Sequence, residues 1–316
     1  MLTAGIPFPL VYIIYCWYSK LFVIVRWNNC ISDCFQAFCG VRQGSLLSPY
    51  LFNLFIDILI RELVILDVGC HIANDFYGCF LYADDIIILS PSVCGLQIML
   101  NKCVMVCASI DLKFNPNKSC CIRFGKKIKY CITPMFLGNF CIPWLDSVCY
   151  LGVYLVCNNR LSFNFDHTKR SFYAAFNSIR SHAKSLDQLT QLALIESYCL
   201  PLLTYVVGAV TFSQRQLHEL NVCWNTAYRV IFGFNRWESV KCFIHGLGRL
   251  NLVHIIKLFK IRFLFHLLCL NHKVLYNLFF VYFKECYDVD ECLVYTFLNL
   301  STATRKIYEQ FAAIAI

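Results

Sequence analysis

Apolar residues fill so much of this chain that the informative positions are the polar ones interrupting them. Residues 8–25, "FPLVYIIYCWYSKLFVIV", read as a helix running into a strand, and the polar "NNCISD" from Asn28 to Asp33 reads as a turn. "FQAFCGVRQGSLLSP" leads to a second helix whose start is signalled by Ser48-Pro49, the hydroxyl capping and the proline in the first turn. That helix is expected to reach about Leu66, with Leu51, Leu54, Phe55, Ile58 and Leu59 on one apolar stripe. "CFLYADDIIILS" then sets two short apolar arms about a pair of aspartates, the pattern of a hairpin. Leu96, Met99, Leu100, Cys103 and Cys107 recur at helical spacing over 96–110, "LKFNPNKS" ends that helix, and "CCIRF" reads as a strand. From about Asn158 the pattern is helical, with basic residues among aromatics, which places a domain boundary near Val156.

Composition sharpens one question. The 316 residues are 59% hydrophobic and 15% charged, where an ordinary soluble domain is about a quarter charged. Three runs are candidate membrane spans. Phe8 to Val25 is interrupted by Lys20, and Leu200 to Phe212 falls short of the roughly 20 residues a span needs. Leu258 to Phe283 has Lys257, Lys260, Arg262, His266, His272 and Lys273 in or beside it. None is a clean span, so a hydrophobic core accounts for these runs and no membrane partner is expected, though hydropathy alone keeps a membrane protein as an alternative. The N-terminus has no basic region and has Pro7 and Pro9 in its apolar part, unlike a signal peptide, so a nuclear or cytoplasmic location is expected. The 21 cysteines include no C-x-x-C pair and read as buried reduced thiols. A net charge of +9 favours nucleic acid or anionic surfaces.

The aspartate pair carries the candidate chemistry. Two unpaired carboxylates at a hairpin tip repel, and at least one would keep its proton. A divalent cation reverses that cost, because hard ions such as magnesium prefer oxygen ligands. Sites that displace phosphate oxygens commonly hold two such ions about 3.5–4 Å apart. An ordinary Asp-rich turn is the competing reading. Upstream, "GVRQGSLLSPYLFNLFID" offers a polar loop, Arg42-Gln43-Gly44-Ser45, opening onto the second helix. Glycine allows close backbone approach, Arg42 can fork onto phosphate, and Gln43 can donate and accept at a sugar or base edge.

Taken in order, these segments resemble the reverse transcriptases of non-LTR retrotransposons, the LINE-type elements. "RQGSLLSPYLFNLFID" is similar to their loop-and-helix motif beneath the incoming nucleotide, and "FLYADDIIILS" to their catalytic hairpin. "FNPNKSCCIRF", with Lys118, resembles the following helix-turn segment, and "YLGVYLVCNNRLSFNFDH" the primer-grip hairpin that leads into the thumb. "LTYVVGAVTF" and "WNTAYRVIFG" are similar to the helical region beyond. The resemblance implies an α+β fold: an incomplete polymerase palm, a split βαββαβ sheet with flanking helices, over residues 1–156, then an all-helical thumb-like region over 157–316. It implies RNA-directed DNA polymerisation with an RNA template, a DNA primer, deoxynucleoside triphosphates and two magnesium ions, and no stable protein partner. Asp84 would bind metal with Asp85 as its neighbour, and Arg42, Gln43 and Gly44 would contact nucleotide and strand. Lys118 would lie near the departing pyrophosphate, and Tyr150, Leu151 and Gly152 would hold the primer end.

Family members carry an earlier strand with another metal-binding aspartate, and fingers that cover the nucleotide. Before the Arg-Gln-Gly loop this sequence has Asp33 as its sole acid, in the "NNCISD" turn. The expectation is therefore a catalytic site only partly supplied by residues 1–316, inactive as an isolated chain. That missing strand would lie between two others in the palm sheet, so its loss would leave unpaired edges. A non-catalytic nucleic-acid binder, using Arg160, Lys169, Arg170, Arg180 and Lys184, is the alternative.

Overall fold

The computed structural model describes residues 1–38, 40–72, 75–125, 133–159, 161–210 and 212–269, in two compact units, Met1–Asp146 and Ser147–Ile316. Arg160 and residues 270–316, with the end of the run from Leu258 to Phe283, lie outside the described residues.

The first unit starts with a 3-10 turn, Leu2–Ala4, and helix α1 (Phe8–Ser19), which has Pro9 in its first turn. Four two-residue strands follow: β1 (Phe22–Val23), β2 (Arg26–Trp27), β3 (Cys30–Ile31) and β4 (Phe35–Gln36). β1 pairs with β4, and β2 pairs with β3 across Asn28 and Asn29, whose φ values of 45° and 65° suit asparagine. Helix α2 (Ser48–Ile65) leads to ribbon β5 (His71–Ile72) with β6 (Asp75–Phe76), then ribbon β7 (Cys79–Tyr82) with β8 (Asp85–Ile88). Helix α3 (Val93–Ser109) and the hairpin of β9 (Met135–Leu137) with β10 (Phe140–Ile142) complete the unit.

Its main core joins α2, α3 and the β7–β8 ribbon. Leu59, Leu63, Met99 and Cys103 are fully buried there, and Cys79, Leu81, Ile86 and Ile88 of the ribbon pack against them. Burying one such leucine contributes about 1.5–3 kcal/mol. Lys102 and Glu62 tie the two helices at 2.5 Å. Ser92 caps α3 by accepting from the Gly95 amide. On the far side of α3, the Gln97 amide both donates to the Phe136 carbonyl and accepts from its N–H, pinning β9.

Three local expectations are corrected. Of the expected stripe of α2 Leu59 is buried, together with Ile56 and Leu63 and with Phe52 partly buried beside them, while Phe55 and Ile58 are exposed, because the β7–β8 ribbon and α3 pack on that side. Ser48 is not the cap of α2: Leu47 occupies that position, and the buried Ser48 hydroxyl donates back to the Arg42 carbonyl. "CCIRF" is not a strand; only Cys121 bridges, in parallel, to Trp144.

The second unit opens with a three-stranded antiparallel meander, β11 (Ser147–Tyr150), β12 (Val153–Val156) and β13 (Ser162–Asn164). The division thus precedes this meander, since β12 pairs onward with β13, a strand where the sequence pattern reads as helical. Among the described residues six helices follow: α4 (Asp166–His182), α5 (Gln188–Tyr198), α6 (Leu200–Thr204), α7 (Gln214–Phe232), α8 (Lys241–Gly246) and α9 (Leu252–Cys269). Asp187 caps α5 by accepting from the Leu189 and Thr190 amides, and Ser213 with Gln216 forms a capping box on α7. One aromatic core unites them, with Phe172, Trp224 and Tyr228 fully buried and the Trp224 and Tyr228 rings 5.6 Å apart, edge to face.

The fold is a mixture of helices and small sheets, in keeping with an α+β class. Among the described residues the strands form five two-stranded ribbons and one three-stranded sheet. No described helix is long and apolar enough to cross a membrane.

Candidate functional site

The β7–β8 ribbon pairs Cys79 with Ile88, Phe80 with Ile87, Leu81 with Ile86 and Tyr82 with Asp85. Alternation sends one set of apolar side chains into the α2–α3 core and turns Phe80, Tyr82 and Asp85 the other way. Ala83 and Asp84 make the connecting turn, with Ala83 at φ 52°. That left-handed conformation costs an L-residue about 1–2 kcal/mol and persists where the surroundings over-determine it. Here the anchored arms do so. Asp84 and Asp85 are both exposed. In water two unit charges a few ångström apart repel by only about 1 kcal/mol, so the pair is tolerable because it stays solvated.

Two adjacent carboxylates at an open tip are a donor set that suits magnesium, which is usually held by one or two carboxylates plus waters and substrate phosphates. They fit one side of such a site. Among the described residues no group of three or more His, Cys, Asp or Glu side chains could hold a metal ion. Asp33 lies exposed between β3 and β4. The thiols beneath the ribbon do not compete as ligands: burial pushes Cys79 up to about 11, and burial, then the neighbouring Cys79 and Cys107, pushes Cys103 up to about 12.

Arg42, Gln43 and Gly44 come together on an exposed loop that opens α2. The Ser45 amide donates to the Arg42 carbonyl at 3.2 Å, and with the Ser48 hydroxyl on the same oxygen the loop is fixed to the helix. Gly44 has φ 79°, with open space where a Cβ would stand, so the backbone requires glycine there rather than any crowding. The Arg42 guanidinium lies 5.2 Å from the Trp17 ring centre, a cation–π contact with α1. The sequence reading missed Trp17 because α1 carries apolar residues on every side, which hides any single functional position.

Lys118 is exposed in a tight turn after α3, where the Asn117 amide donates to the Asn115 side chain and the Lys118 and Ser119 amides to the Asn115 carbonyl. Tyr150, Leu151 and Gly152 belong to the second unit, where Leu151 and Gly152 form the two-residue turn between β11 and β12. Both have positive φ, 46° and 77°, the pattern of a type I′ turn. Leucine is an unexpected first residue for such a turn, which favours Asn, Asp or Gly.

Of the alternative basic face, Lys169 is already committed, 2.8 Å from Asp166 and 2.6 Å from Glu219. Arg170, Arg180 and Lys184 are exposed on or just beyond α4.

Residues 5–155 match the family model described as reverse transcriptase (RNA-dependent DNA polymerase). The chain is 31% identical over 133 residues to the retrovirus-related Pol polyprotein of the type-2 retrotransposable element R2DM of Drosophila melanogaster, covering 40% of this chain and 12% of that protein. It is 32% identical over 123 residues to the corresponding polyprotein of the type-1 element R2 of Nasonia vitripennis, covering 36% and 12%. A transposon-derived protein of Caenorhabditis elegans is 26% identical over 168 residues, covering 52% and 60%. The chain therefore spans a small part of the two polyproteins. The matched residues hold both the aspartate ribbon and the Arg-Gln-Gly loop, and residues 5–155 are a reverse transcriptase domain of the non-LTR retrotransposon kind.

Proposed function

We propose that the chain contributes one side of a magnesium-dependent site for RNA-directed DNA polymerisation, with residues 1–156 as an incomplete palm and 157–316 as a thumb-like region. The supporting observation is the open ribbon tip, where Asp84 and Asp85 stand solvated on arms locked into the α2–α3 core. Asp84 and Asp85 would hold the metal; bound magnesium would lower the charge barrier between primer hydroxyl and phosphate. Arg42, Gln43 and Gly44 would receive the nucleotide and strand, the loop being rigid before any ligand arrives. Lys118 would offer a cation to the departing pyrophosphate, and Tyr150, Leu151 and Gly152 would hold the DNA primer end opposite an RNA template. Among the described residues no further carboxylate joins Asp84 and Asp85 in a group that could hold a metal, so the isolated chain is expected to extend no primer.

Two measurements test this. Ferrous ion substituted for magnesium cleaves backbone near its site; cuts centred on residues 82–86 and lost in Asp84→Asn support the reading, and cuts elsewhere, unchanged by that substitution, overturn it. Primer extension on an RNA template should be absent for residues 1–316; incorporation that needs magnesium and disappears in Asp84→Asn would show that the site is complete after all.

A second reading, nucleic-acid binding without catalysis, is favoured by the exposed Arg170, Arg180 and Lys184. Binding through them should weaken steeply with added salt. Charge reversal of all three that leaves low-salt affinity intact would remove it.

A further inference from the structure

The type I′ turn at Leu151–Gly152 has a neighbour in its own unit. A Cβ built on Gly152 would stand 3.5 Å from the Tyr205 ring edge, at Cε1. That is ordinary contact distance. Glycine is therefore demanded by its φ of 77° and not by crowding, and the ring simply borders the turn.

Tyr205 is 68% exposed although its chain neighbours are fixed in the core. Leu203 and Thr204 before it and Val207 after it are buried, and the Thr204 hydroxyl donates to the Leu200 carbonyl. An aromatic ring on so rigid a backbone, left in water, is a preformed flat surface with little freedom to lose on binding. Leu151, half-buried and held in the left-handed region, is the other residue of the turn. Backbone strain of this kind clusters where a side chain must face a ligand. A side-chain-free glycine beside an exposed tyrosine ring leaves a thin stretch of backbone next to a flat aromatic face.

We infer that Tyr205 stacks on the nucleobase at the 3′ end of a DNA primer strand lying on the Leu151–Gly152 turn. The inference rests on the proposed role of that turn. Every base presents a π-face, so such a contact positions a strand end without reading its sequence. Tyr205 acts as a positioning residue, and its hydroxyl is not needed.

The test uses the full chain bound to a primer–template duplex whose primer ends in 5-iodo-deoxyuridine, which cross-links to a stacked aromatic under near-ultraviolet light. The expected adduct maps to Tyr205. It is lost in Tyr205→Ala and retained in Tyr205→Phe, with binding about five- to tenfold weaker for the alanine variant alone. Because the ring is exposed, neither variant should move the melting temperature, so a fold defect is separable. Adducts confined to the β7–β8 ribbon, or unchanged in Tyr205→Ala, overturn this inference and leave the reading of the turn to stand on its other residues. No complex with the duplex at low salt overturns both.

Discussion

Two aromatic-rich regions of this molecule meet opposite fates. In the first 38 residues Phe8, Tyr12, Tyr15, Trp27 and Phe38 lie largely in solvent, and α1 buries nothing. In the second unit Phe172, Trp224 and Tyr228 disappear into one core. Apolar content does not separate them, since both are rich in large side chains. Spacing does. In α7, Leu220, Cys223, Trp224, Ala227, Tyr228 and Ile231 recur every three or four residues, and Arg215 and His218 face the other way. In α1 the run "LVYIIYCWY" has no polar side, so no face is selected for burial. In α7 periodic contrast marks the buried face in advance; α1, without it, is left at the surface.

Four tests probe that contrast. Trp224→Ala should destabilise the second unit most, by about 3–5 kcal/mol, read as loss of a thermal transition of the full chain; an unchanged melting curve would contradict the single-core description. Cap removal should be smaller and equal in the two units. Ser92→Ala and Asp187→Ala should each cost about 1 kcal/mol in denaturant titrations, and a marked inequality would mean that one unit tolerates helix fraying.

The third concerns the ion pairs of Lys169, with Asp166 on α4 and Glu219 on α7. Lys169's hydrogen bonds hold Asp166 and Glu219 below their usual values of 3.8 and 4.5. Their contribution is complete above those unfolded values and is lost as pH falls through the lower folded ones. Lys169 is held above 10.5, first by its hydrogen bond to Asp166 and then by that to Glu219. Its contribution is complete below 10.5 and is lost as pH rises through the folded value. Lys169→Met should therefore flatten both limbs of melting temperature against pH, by a modest amount because the groups are partly exposed. Least of all, Trp27→Ala should alter stability by no more than about 0.5 kcal/mol; a loss approaching that of Trp224→Ala would show that the exposed strands are part of a core.

What could be read from the sequence follows the same contrast. The aspartate ribbon was legible because two short apolar arms flank two charges, and α3 because Met99, Cys103 and Cys107 repeat cleanly. The stripe of α2 was not, because "LFNLFIDILI" offers apolar side chains to almost any partner and the ribbon, remote in sequence, makes the choice. The Ser-Pro signal located the start of α2 correctly but not the hydroxyl's partner: instead of accepting from a helix amide it donates backward to the Arg42 carbonyl. β13 is three residues long and carries no period at all. In the site, Asp84, Asp85 and the Arg-Gln-Gly loop stand out as polar interruptions. Trp17, beside the loop, does not, being one aromatic in a chain full of them.

The left-handed backbone at Ala83 has a consequence for heredity. A single nucleotide change turns an alanine codon into a valine codon, and valine's branched side chain is among the worst accommodated at φ 52°. Among copies of such an element accumulating random changes, that codon would register damage sooner than the solvent-facing positions around it.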